Sequence, residues 1–386
     1  MSLHWDFLPV NSDAMNESSE PDDPLLSVDE APLAFAFSGS GGDYFRIWIV
    51  NLLLTVATLG IYSAWAKTRR LQYFYRNTRL AGASFDFRGD PKAILRGRIL
   101  AVLLLGALYA AFGTSIEGGL LAGTLVLAAV PWIMRSALRF RLSNTWYRGL
   151  PFGFAGTPGK AYLIYLFPLG MLFFSDAVDR LLPDSLLSNA LFLAYFGWPW
   201  MHASMKRYQH MHLLYGDQRA GFSLSMNALA RPYVRIVAVL GAAVAVLLLV
   251  VTGMVLQHRP DAQWERLFDT TWWVYGYLFI LLGLPFTAVR MTNLAWSATT
   301  FPGIRIACTT PPAGYLRLQA VNWILTLFTL GLFRPFAAVR TWRYRLAHVH
   351  VHAPDGAALT ARYAARTGRA ATGDGLADLA GLDLSW

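Results

Sequence analysis

The chain has 386 residues, is 55% hydrophobic and only 15% charged, and carries a formal net charge of +10. A soluble globular chain averages about 25% charged residues, so this composition excludes an ordinary water-soluble domain and points to a protein solvated in part by lipid. The single cysteine, Cys308, excludes an internal disulfide and a thiolate metal cluster within one chain.

Residues 1–33 hold eight acids and no Lys or Arg. They lack the basic and apolar regions of a signal peptide and read as an acidic, disordered tail. From there a repeat organises the membrane domain, 34–352. Five modules of strand, helix, helix and basic segment fall at 34–84, 85–151, 152–221, 222–303 and 304–352. Their opening strands read Phe35-x-Phe37-x-Gly39, Phe85-x-Phe87-x-Gly89 and Phe152-x-Phe154-x-Gly156, with looser copies at Phe222-x-Leu224 and Ile304-x-Ile306-x-Cys308. Residues 353–386 form a C-terminal cytoplasmic tail.

In the first module, 45–65 is borderline apolar and contains Asn51, Thr55, Thr58 and Gly60. Six long segments follow that read as spanning helices: 94–112, 119–138, 161–175, 186–204, 233–256 and 271–289. The last module has a second borderline stretch, 316–337, with Asn322, Thr326, Thr329 and Gly331. A shift of 271 residues superimposes the two end modules, with twelve of the 30 positions from 44 to 73 identical.

Orientation follows from Lys and Arg. The connections near 113–118, 176–186 and 257–270 hold only Arg180, Arg259 and Arg266, so they lie outside and the basic segments lie in the cytoplasm. If the two end stretches spanned, Arg334, Arg340, Arg343 and Arg345 would also be outside. Both are therefore read as re-entrant hairpins, broken at Gly60 and Gly331, since glycine takes the left-handed conformation that ends a helix. Both termini are then cytoplasmic. The expected fold is an α-helical polytopic membrane bundle of six spanning helices and two re-entrant helical hairpins. Short cytoplasmic β-hairpins turn at Gly82, Gly149, Gly216 and Gly303 and can pair into a small sheet or cap.

Three runs carry a family resemblance. They are Gly42-Asp43-Tyr44-Phe45-Arg46, Thr58-Leu59-Gly60-Ile61-Tyr62-Ser63-x-Trp65-Ala66-Lys67-x-Arg69-Arg70, and Tyr73-Phe74-Tyr75-x-Asn77-Thr78. Lys206-Arg207-Tyr208-Gln209-His210, Tyr215-Gly216-Asp217 and the closing Ala377-Asp378-Leu379 extend it over about 33–386. The chain resembles the YjgN-like family of bacterial inner-membrane proteins, a family of unknown function. The resemblance implies an inner-membrane location and a multi-pass architecture, and it implies no reaction.

Several constellations bear on chemistry. Asn51, Thr55 and Thr58, and their counterparts Asn322, Thr326 and Thr329, share one helix face in two related hairpins. That pattern suits either the lining of a cavity near a pseudo-twofold axis or simple helix–helix bonding. His348, His350 and His352 alternate on a strand and form a weak metal candidate, with an exposed edge strand as the plainer reading. No cofactor is expected. The long segments hold no acid near mid-depth, which argues against a proton-coupled pump. Arginines flanking the spans suit anionic headgroups on the cytoplasmic face. The aromatics beside them suit an interfacial belt rather than nucleic acid. No nucleotide, zinc or nucleophile motif is present, so an enzyme is not expected. The sequence leaves three functions open: a passive pore or carrier for a small solute, a membrane organiser that binds anionic lipid or a partner protein, and, least favoured, an enzyme acting on a lipid. Homo-oligomerisation also stays open.

Overall fold

The computed structural model describes residues 32–182, 185–258 and 283–353, together with Trp273, Val274, Tyr277 and Leu281. The acidic segment up to residue 31, the C-terminal tail from 354 and most of 259–282 lie outside the described residues.

Every module starts and finishes on a strand. The first runs β1 (Leu33–Ala34), β2 (Ala36–Phe37), α1 (Gly41–Ala57), α2 (Ser63–Arg76) and β3 (Thr78–Leu80). The second runs β4 (Ala83–Phe87), α3 (Pro91–Thr114), α4 (Ile116–Ser143) and β5 (Thr145–Tyr147). The third has β6 (Leu150–Phe154), α5 (Pro158–Leu181), α6 (Leu186–Ala194), α7 (Trp198–Met211), β7 (Leu213–Tyr215) and β8 (Gln218–Arg219). The fourth has β9 (Gly221–Phe222), α8 (Met226–His258), α9 (Leu284–Ser297) and β10 (Thr299–Phe301). The fifth has β11 (Ile304–Cys308), α10 (Pro312–Phe328), α11 (Arg334–Leu346) and β12 (Val349–His352).

The strands close on themselves. One sheet runs β2-β3-β4-β5-β6-β7-β8 and the other β9-β10-β11-β12-β1, all antiparallel. β1 and β2 are separated only by Phe35, and β8 and β9 only by Ala220. Each of these two runs therefore joins one sheet to the other, and the ladder closes into a barrel. The hairpins expected from sequence are present, but each also pairs with the hairpin of the next module. Closure leaves β1, β2, β8 and β9 paired on one side each and every other strand paired on both.

Local chemistry explains the repeated letters. In the Phe-x-Phe-x-Gly motif, a Cβ on the glycine would meet the second Phe ring at 2.5 Å in all three copies, so the ring lies directly on the backbone. In the Asn-Thr pair, Asn77 and Asn144 donate to the carbonyls of Tyr73 and Phe140 at 2.8 Å. Thr78 and Thr145 donate to Phe74 and Arg141. These bonds occupy carbonyls that a helix leaves unsatisfied at its C-terminus. Ala81-Gly82 and Arg148-Gly149 have positive φ at both positions, as a two-residue hairpin loop requires. Proline at the helix start marks α3, α5 and α10.

The helices also form a ring. Each of α1 to α5 packs on the next, then α5 on α7, α7 on α8, and so through α9, α10 and α11 back to α1. Among the described residues, three helices are long and apolar enough to cross a membrane: Pro91–Thr114, Ile116–Ser143 and Met226–Val250. The expected span 161–175 lies inside α5. The expected span 186–204 is not one continuous α-helix: α6 passes through a 3-10 turn at Tyr195–Gly197 into α7. Of 271–289, the end falls on α9, and the described residues Trp273, Val274 and Tyr277 are helical as well.

The two end modules are helical hairpins with matching turns. Leu59 and Leu330 have φ of 49° and 48°, and Gly60 and Gly331 both have φ of 91°. Gly60 N–H donates to Thr55 O and Gly331 N–H to Thr326 O, both at 2.7 Å. Leu59 N–H and Leu330 N–H bond three residues back. This is the paired-bond helix stop in which the residue before the glycine is left-handed too. Leu59 and Leu330 are 95% and 94% exposed, so both hairpin tips present bare apolar side chains.

Candidate ligand cavity

Strand side chains alternate between the inside and outside of a barrel. Arg79, Arg88, Arg219, Arg305 and His352 are exposed on the outside. Asp86 sits among them, 2.8 Å from Arg76 and 3.1 Å from Arg88. Burial pushes its carboxyl up, but the bonds from the two arginines outweigh that and hold it below the usual carboxylate range.

The inside is apolar and aromatic. Phe85 stacks on Tyr147 at 4.5 Å between ring centroids, Phe152 meets Tyr215 at 5.0 Å, and Phe85 meets Phe152 at 6.4 Å. Tyr147 donates to Leu80 O at 2.7 Å and Tyr215 to Tyr147 O at 3.3 Å. Burial pushes both phenols up, Tyr215 to about 12, so both stay neutral. These rings close the floor of the lumen.

Above that floor lies a cavity of about 890 Å³, within the usual range for ligand sites. It runs from the lumen (Phe85, Ile304, Val351) up between α9 and α10. One face of α9 lines it, through Pro285, Ala288, Thr292 and Trp296, and one face of α10 lines it, through Tyr315, Gln319, Ala320 and Trp323. Leu281, Ala288, Arg317, Ala320 and Trp323 line the cavity and are also exposed on the outer surface. The cavity therefore opens sideways, between two helices rather than along the barrel axis.

The polar groups gather where α10 leaves the barrel. Arg345 and Gln319 both donate to the Tyr315 hydroxyl at 2.7 Å, and the Arg345 guanidinium lies 5.3 Å from that ring. Arg317 stands at the rim. Among the described lining residues, Arg317 and Arg345 carry the only charges. Cys308 also lines the wall, donating to Asn293 Oδ1 at 3.2 Å; burial pushes its thiol up, so it stays protonated.

The residues singled out by sequence lie elsewhere. Asn51 and Asn322 are buried, 6% and 1% exposed, and neither lines the cavity. Thr55 and Thr326 donate to the carbonyls of those asparagines at 2.6 Å, and Thr58 and Thr329 to Leu54 and Leu325 at 2.7 Å. Their hydroxyls serve their own helices. Asn322 donates to Thr341 Oγ1 at 3.2 Å. α1 packs on α11 rather than on α10, and among the described residues no hydrogen bond joins Asn51 to Asn322. The amide oxygen of each has no hydrogen-bond partner. Gly60 and Gly331 sit in the hairpin turns described above.

His350 and His352 point to the outer face of β12, while His348 bonds Tyr344 O at 2.8 Å. Among the described residues no group of three or more His, Cys, Asp or Glu is placed to hold a metal ion. The cavity-lining face of α9 and α10 escaped the sequence reading because it resembles any lipid-facing stripe. The signals were Arg317 inside an apolar stretch and the small residues Ala288 and Ala320 on facing helices.

A family profile described as a bacterial protein of unknown function, DUF898, matches residues 32–379. The chain is 33% identical over 154 residues to the inner membrane protein YjgN of Salmonella typhimurium, covering 38% of each chain. It is 40% identical over 63 residues to the inner membrane protein YjgN of Escherichia coli K12, covering 16% of each. The match thus spans well under half the length of these relatives. No solved structure matches.

Proposed function

We propose that this chain, which belongs to the DUF898 family of bacterial proteins, is an inner-membrane protein that binds an anionic lipid in the cavity between α9 and α10. The observation that carries the reading is the sideways, apolar cavity whose lining charges are Arg317 and Arg345. A lipid brings both halves of the matching chemistry, an apolar chain and an anionic head. The named relatives are inner-membrane proteins, and the apolar helices of this chain fit the same location.

In this reading the chain has six spans and two re-entrant hairpins, with the barrel and both termini in the cytoplasm. The bare apolar tips at Leu59 and Leu330 support re-entry, because they gain by ending inside hydrocarbon. The protein acts as a membrane organiser through binding, and it carries out no reaction of its own. Homo-oligomerisation is compatible with it.

The reading of a passive pore or carrier for a small solute is favoured by one observation, the unpartnered buried amide oxygens of Asn51 and Asn322. The stacked rings that floor the lumen count against a continuous aqueous path. Extraction of the purified protein should return stoichiometric anionic lipid, and liposomes containing it should be no leakier to small solutes than empty ones. Lipid-free protein with rapid solute flux would reverse the choice.

A further inference from the structure

The lumen of the barrel raises a question that simple lipid binding leaves open. An annular lipid needs only the outer groove between α9 and α10, where Leu281 and Trp323 lie. Yet the same cavity continues past Trp296 and Tyr315 to the barrel, which in the proposed topology stands in water and borders the cavity with Phe35, Phe85, Phe152, Ile304 and Val351. These side chains also pack on one another, and where they border the cavity they offer an acyl chain the same apolar surroundings that the bilayer does.

The mouth sets the shape of what enters. It is flanked by Ala288 on α9 and Ala320 on α10, two small side chains. The helices pack on each other beside it, so the opening suits one chain rather than two side by side. The rim sets the charge. The Tyr315 oxygen accepts from both Arg345 and Gln319, which occupies its two lone pairs and leaves its own O–H to donate to a third group. Arg317 adds a second cation. With no acid among the described lining residues, this rim favours an oxyanion.

Resting on the lipid-binding reading above, we propose that the ligand is a monoacyl anionic amphiphile. Its single chain leaves the bilayer through the α9–α10 mouth and lies in the barrel lumen, and its head stays at Arg317, Tyr315 and Arg345. A long-chain carboxylate and a lysophospholipid share this chemistry. The protein would then withdraw a chain from the cytoplasmic leaflet and shield it, which an annular lipid site does not do.

The test uses the full chain in phosphatidylcholine nanodiscs. It is exposed to palmitate, to lysophosphatidylglycerol and to diacyl phosphatidylglycerol, each with a diazirine at the chain terminus, then irradiated and mapped by mass spectrometry. The expected result is terminal adducts on the strands of the lumen, at 83–87, 304–308 or 349–352, from one or both monoacyl probes. Whichever monoacyl probe labels more strongly identifies the head. Ala320→Trp blocks the mouth from an exposed position and should lower these adducts at least tenfold, and Arg317→Gln should lower them severalfold. Adducts confined to α9 and α10 near Leu281 and Trp323 would overturn the lumen proposal and leave lipid binding intact. Lumen labelling by the diacyl probe alone would overturn the monoacyl assignment. Absence of adducts from all three probes, with no co-purified lipid, would overturn both the proposal and the reading beneath it.

Discussion

Gly60 and Gly331 allow the hairpin turns to be tested with a cost that comes from the backbone alone. Both have φ of 91°, and a Cβ built on either meets nothing within 4 Å. Gly60→Ala therefore creates no clash, and its whole penalty is the left-handed conformation, roughly 1–2 kcal/mol. Gly60→Val should cost more than the alanine variant, since a β-branched residue is a genuine outlier at positive φ. The internal control is Gly106 in α3, which also has open space around a Cβ but lies within a continuous helix. There Gly→Ala should stabilise, by about 0.5–1 kcal/mol. Equal steric room with opposite sign isolates backbone strain. The assay is reversible SDS titration in mixed micelles followed by circular dichroism. If Gly60→Val and Gly331→Val unfold with the wild type, or if Gly106→Ala loses as much as Gly60→Ala, the turn argument is wrong.

Other outcomes follow from the same geometry. Gly156→Ala drives a Cβ to 2.5 Å from both the Phe154 ring and the Tyr208 hydroxyl, and it should cost about 1–3 kcal/mol in the same titration; an unchanged midpoint would contradict the close packing. His210 is buried against Thr299 Oγ1 at 3.0 Å, and burial, aided by Lys206, lowers its pKa from 6.5 to about 3. Below pH 6.5 the unfolded chain binds a proton at His210 that the folded chain refuses, so the His210 contribution to stability should fall by about 1.4 kcal/mol per pH unit as pH drops. It should be flat above pH 7, and His210→Gln should remove one proton's worth of slope in unfolding curves taken from pH 7 to 5. In a Cys308→Ser background, cysteine at Gly118 should react with an impermeant thiol reagent from the periplasmic side, and cysteines at Gly82, Gly149, Ser12 and Gly356 should not. Outside labelling of Ser12 and Gly356 would make 45–65 and 316–337 full spans.

Much of the architecture was legible because it is written in short-range chemistry. Alternation marked the strands, and single glycines at 82, 149, 216 and 303 marked the hairpin turns that the structure forms. Barrel closure was not legible. It depends on Leu33–Phe37 and Gln218–Phe222 each pairing with two different neighbours, a long-range arrangement that no local pattern encodes. Asn51 and Asn322 are equivalent positions, and equivalence suggested proximity, yet in a ring of five modules the first and fifth meet through α1 and α11. Their threonines looked like cavity lining because period and polarity are identical for a hydroxyl that faces a cavity and one that bonds its own helix. The cavity wall on α9 and α10 was hidden for the opposite reason, since an apolar face toward a ligand and one toward lipid have the same composition.

The central claim is that the cavity between α9 and α10 holds an anionic lipid. Native mass spectrometry of the full chain, released from nanodiscs of mixed phosphatidylethanolamine and phosphatidylglycerol, tests it most directly. The account predicts a retained adduct of one anionic amphiphile on the wild type. That adduct should be absent from Ala320→Trp and weakened in Arg317→Gln, with all three proteins equally folded. An adduct retained equally by Ala320→Trp, or a wild type that emerges bare, would contradict it.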